Sequence, residues 1–124
     1  MYIEKEIGPT RICCFDAVLA EIEKVDADFP CHIATFLGDQ GKKPFVFGKD
    51  DEVLPLLSPA KGKEVFCIFI GIDDTPMRLY ALFVEPKELD VSQISTAIIV
   101  EAFSDEMFED FPPTYRIRES FFPD

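Results

Sequence analysis

The chain has no tryptophan and one histidine, His32. With a single imidazole, any Ser–His or Cys–His nucleophilic scheme must run through that residue. The six glycines form no phosphate-cradling loop and no dinucleotide fingerprint. Neither a G-x-S-x-G elbow nor an H-x-x-x-H pair occurs. Four cysteines are present, Cys13, Cys14, Cys31 and Cys67, without the C-x₂₋₄-C spacing that zinc sites use. No metal and no cofactor is expected. No apolar run nears the ~18 residues of a membrane helix. The opening MYIEKEIG puts charges where a secretory leader carries its apolar segment. A cytoplasmic setting with reduced, buried thiols is the expectation.

Basic residues are also scarce. Twelve Lys and Arg face 24 Asp and Glu, a formal net charge of −12 with a pI near 4.4. Such a field repels nucleic acid and anionic membranes and attracts basic proteins. Lys42-Lys43 and Lys61 with Lys63 are too few to make a nucleic-acid footprint.

What remains is an ordinary globular mixture, 48% hydrophobic and 29% charged over 124 residues, which reads as one domain spanning 1–124. Thirteen phenylalanines have no polar handle and belong mostly in a core. Residues 1–7 alternate as a half-exposed strand, with Ile3 and Ile7 on one face and Tyr2, Glu4 and Glu6 on the other. Gly8-Pro9 ends it. Ile12, Phe15, Val18, Leu19, Ile22 and Val25 fall at helical spacing and predict an amphipathic helix over 11–26. Residues 29–37 and 44–47 read as a hairpin around Gly38-Asp39-Gln40-Gly41. Residues 50–57 are ambiguous and kept short by Pro55 and Pro59. The run EVFCIFIGI, 64–72, is apolar on both faces, as a central strand is. Asp73-Asp74-Thr75-Pro76 turns it into an antiparallel partner over 77–84.

Leu89, Asp90, Gln93 and Ile94 carry a capping box with a hydrophobic staple and start a second helix, taken to 111. Tyr115 and Ile117, alternating with Arg116 and Arg118, make a short closing strand. That strand is expected beside strand 1–7, setting its arginines against Glu4 and Glu6. The predicted fold is α+β, a mainly antiparallel sheet of five or six strands under two main helices, about 11–26 and 90–111.

Charge is concentrated late in the chain. Between Glu85 and Pro113, eight acids oppose Lys87 alone, leaving seven of the twelve net negative charges there. Wound as a helix, 101–111 places Phe103, Met107 and Phe111 on one stripe and Glu101, Asp105 and Glu109 on another, with Glu106 and Asp110 beside it and Phe108 at its margin. Like charges one turn apart cost about 0.2–0.5 kcal/mol per pair, a cost that interleaved lysines would have avoided. The row is spaced at about 5.4 Å per turn and roughly imitates backbone phosphates.

The expectation is a non-enzymatic acidic protein whose Glu101, Asp105, Glu106, Phe108, Glu109 and Asp110 occupy a basic surface of a partner protein. The partner class includes nucleic-acid-binding enzymes. This is the mode of inhibitors, immunity-type proteins and nucleic-acid mimics, including those encoded by phages and mobile elements. The alternative is a small-ligand or structural module whose acids only confer solubility. Third stands an enzyme using His32 or the Asp73/Asp74 pair.

Overall fold

The computed structural model describes residues 2–85, 109 and 112–117. Among these residues seven strands form one sheet, all paired antiparallel: β1 (Tyr2–Ile7), β2 (Thr10–Val25), β3 (Cys31–Gly38), β4 (Gly41–Gly48), β5 (Glu64–Ile72), β6 (Arg78–Val84) and β7 (Tyr115–Arg116). One seven-residue helix, α1 (Leu54–Ala60), lies between β4 and β5. The order across the sheet is β4-β3-β2-β5-β6-β7, with β1 also against β2.

This overturns the α+β expectation. Residues 11–26 are not a helix; they lie almost wholly in the 16-residue strand β2. The helical spacing arose from two sources. Ile12 and Cys14 face one core while Cys13, Phe15, Ala17 and Leu19 face the other, so a strand buried on both faces loses its visible alternation. A bulge between Leu19 and Glu21 then adds one residue, so that Leu19 and Ile22, three apart, share a face. The β-branched content of Thr10, Ile12, Val18, Ile22 and Val25 favours the strand. The second expected helix, 90–111, lies outside the described residues except for Glu109.

Other elements match the sequence reading. β1 keeps Ile3 and Ile7 on one face and Tyr2 on the other. It turns into β2 through Gly8, whose φ of 59° is open to glycine at little cost. β5 covers the expected span and is buried from Val65 to Gly71. β6 pairs with it, although the middle of the sheet is β2 with β5 rather than β5 with β6. α1 accepts Pro55 at its first turn and carries Pro59 internally, which agrees with its shortness. The terminal strands are not neighbours: β1 lies on β2 and β7 on β6. Arg116 therefore meets Tyr80, its Nη2 donating to the hydroxyl at 3.2 Å, and not the acids of β1.

The sheet is rolled. Phe45 of β4 stacks on Phe69 of β5 with ring centroids 3.8 Å apart. Three strand steps would separate them by roughly 14 Å in a flat sheet at ~4.8 Å per step. Phe15 and Phe36 complete this aromatic interior. Val53, Leu57 and Ala60 from α1 and its entry bury in the same core. The end of α1 is tied to β2, with Gly62 N donating to Leu19 O at 2.7 Å and Leu19 N to Lys63 O at 3.1 Å. The opposite face holds Ile12, Cys14, Phe66, Ile68, Ile70, Tyr80 and Phe83, also buried.

Candidate functional site

Of the acidic stripe, Glu109 alone is described; it is helical and exposed. Glu101, Asp105, Glu106, Phe108 and Asp110 lie outside the described residues.

Asp73 and Asp74 are exposed in the β5–β6 turn. Asp73 has a φ of 52° and donates its N–H to Pro9 O at 2.8 Å. Thr75 closes the turn, its Oγ1 donating to Ile72 O at 2.6 Å and accepting from Ile72 N at 3.0 Å. These contacts fasten a turn, and among the described residues they bring no second catalytic group to the carboxylates. His32 sits in β3 opposite Lys24 and Phe47. Cys31, its neighbour, projects to the other face.

All four cysteines are free thiols; Cys31 is half-buried and the others are buried. Burial pushes the Cys67 thiol well up, and burial likewise raises Cys13, while the Tyr2 hydroxyl, which hydrogen-bonds to Cys13, opposes the rise. That hydrogen bond, ahead of burial, lifts the Tyr2 phenol above its usual range. Buried thiols kept protonated are poor nucleophiles. Among the described residues no three His, Cys, Asp or Glu side chains gather to hold a metal, and no helix is long and apolar enough to cross a membrane.

The geometry that stands out is where the two ends of the rolled sheet face each other. Between β4 and β6–β7 runs an open groove of about 310 Å³. One wall is Val46 and Phe47, the other Met77, Leu79, Tyr115 and Ile117. Phe47 and Leu79 are buried in its floor. The segment leaving β4 adds Asp50, Asp51 and Glu52 in succession, and Arg78 lies on the rim. Asp51 is spoken for, since its Oδ1 accepts from Val53 N at 3.0 Å on the way into α1. Asp50 and Glu52 are exposed. The groove therefore combines an apolar floor with a net negative rim.

Sequence reasoning did not single out this groove. Asp50-Asp51-Glu52 is legible as a charge run, but of its apolar companions only Val46 and Phe47 are near in sequence, and the facing wall comes from residues about 30 and 65 positions away. No protein-family model, curated protein or solved structure matches the chain with significance.

Proposed function

We propose that this is a non-enzymatic acidic binding protein that engages a basic surface of a partner protein. The observation that carries the reading is the acid run Asp50–Glu52 at the rim of an apolar-floored groove, in a chain of net charge −12. The ion pairs Lys24–Asp26 (3.8 Å) and Lys63–Glu85 (3.9 Å) are long and exposed, so they neutralise little of that field. A net negative rim around apolar surface recruits cationic partners quickly and holds them by the apolar contact. The acids of 101–110 extend the same electrostatic character. A nucleic-acid-binding enzyme inhibited through its basic cleft is the partner class this charge fits best.

Affinity capture from the native host tests the reading, with wild type compared against two reversed forms. One is Asp50→Lys with Glu52→Lys, the other Asp105→Lys with Glu106→Lys and Glu109→Lys. The expected result is a basic protein retained at low salt, released at high salt and lost from at least one reversed form. Retention unchanged in both forms, or no basic protein retained at all, would refute it.

A further inference from the structure

We infer that the groove between β4 and β6–β7 is a strand-addition site: an extended basic segment of a partner pairs with the open edge of β4 at Val46. This deepens the binding reading above and rests on it.

Among the described residues, β4 is the last strand of the sheet and pairs with β3 alone. Open edges attract other strands, and proteins guard them with lysine and proline. The first half of β4 has both guards, Lys42 and Pro44. Proline is accepted on an edge strand when its missing N–H falls on the open side. By the two-residue period of a strand, Val46 then presents its own N–H and C=O to that same side. Here the guarding stops. Val46 is uncharged, 67% exposed and on the wall of the groove.

The groove has the dimensions for such an occupant. Its volume of about 310 Å³ is at the low end of the ~300–1,000 Å³ typical of binding pockets, enough for a few side chains and not for a folded element. A strand lying on β4 alternates its side chains. One set would lie over Phe47, Leu79 and Met77, while the residues continuing past Gly48 would meet Asp50 and Glu52. Main-chain bonds supply affinity in this mode, and the flanking pockets supply selection. The acids select lysine or arginine in the occupant. They also argue against a second copy of this chain, which would bring −12 against −12.

The test uses the full chain and a fluorescent nonapeptide of alternating lysine and valine, with a counterpart of the same sequence N-methylated throughout. The two carry equal charge, but only the first can donate main-chain hydrogen bonds. In the protein, Val46→Pro removes the outward N–H as Pro44 does, and Val46→Thr keeps it. Expected are measurable binding of the unmodified peptide, at least tenfold weaker binding of the methylated one, a loss of at least tenfold for Val46→Pro, and Val46→Thr within about twofold. Asp50→Asn with Glu52→Gln should weaken binding and flatten its salt dependence.

Circular dichroism checks that Val46→Pro folds; if it does not, the methylated peptide decides alone. Equal binding of the two peptides would overturn strand addition while leaving an acidic, salt-sensitive binder. No binding of either peptide, with a basic protein still captured from the host, would do the same. Failure of both experiments would remove the binding reading itself. A wild-type dimer in sedimentation velocity that Val46→Pro abolishes would overturn the proposal in favour of self-pairing.

Discussion

The contact between Phe45 and Phe69 is the most direct handle on the rolled sheet. Both rings lie in the aromatic interior, with centroids 3.8 Å apart and planes 11° from parallel. Phe69 is fully buried and also approaches Phe15 and Phe36, at 5.8 and 6.1 Å. Truncating it to alanine should cost about 3–5 kcal/mol, a large part of the ~5–15 kcal/mol that holds most domains together. Leucine is the better probe, since it keeps apolar bulk and should cost on the order of 1–2 kcal/mol at either site. The informative quantity is the coupling between Phe45→Leu and Phe69→Leu. Touching aromatic rings are worth about 0.5–1.5 kcal/mol beyond their buried area, and the cycle should return a value in that range. Urea unfolding followed by far-UV circular dichroism on the four proteins of the cycle measures it. Residues not in contact add to within about 0.3–0.5 kcal/mol. Additivity inside that margin would mean that β4 does not fold over β5, and the groove at the sheet's ends would go with it.

Other expectations are more local. In native protein near pH 8, a thiol reagent should label Cys31 first and leave Cys13, Cys14 and Cys67 until denaturant exposes all four, as the burial of those three requires; fast labelling of Cys67 would contradict it. The raised Cys13 and Cys67 also tie stability to alkaline pH. Each folded-state pKa lies above the ordinary value of 9.0, so the stabilisation is whole below that pH and is lost as pH rises through the folded value. The slope should be at most about 1.4 kcal/mol per pH unit for each thiol, and Cys67→Ala should reduce it. Gly71→Ala places a methyl 2.8 Å from Met77 Sδ and 2.9 Å from Arg11 Nη2. It should displace the Arg11 Nη2–Thr75 O bond of 2.7 Å and cost about 1–2 kcal/mol in a thermal or urea melt. Asp51→Ala removes the acceptor of Val53 N and should cost about 0.5–1.5 kcal/mol in a urea melt.

What the sequence made legible follows from where the physics is local. β1, β5 and the turn Asp73–Pro76 announce themselves through alternation, a doubly apolar run and turn-forming residues, all within a few positions of one another. β2 does not. Its bulge and its two buried faces produce the 3.6-residue rhythm of a helix, and only pairing with β1, β3 and β5 reveals the strand. The roll of the sheet is less legible still, because Phe45 and Phe69 carry no mark of meeting. The groove inherits that difficulty, as its walls come from chain segments that only the rolled sheet brings together.

β2 also sets the order in which the chain can assemble. Hairpins β1–β2, β3–β4 and β5–β6 close over short turns and can form within microseconds. The join of β2 to β5 is different, pairing Val18 with Glu64 and Thr10 with Ile72 across long stretches of intervening chain. Loop closure of that length must precede any reward from the contact, and topologies dominated by such pairings fold in milliseconds to seconds. During synthesis, the edge of β2 that carries Ile12 to Ala17 stays open until β5 has emerged. For that interval it is exposed to pairing with the wrong strand.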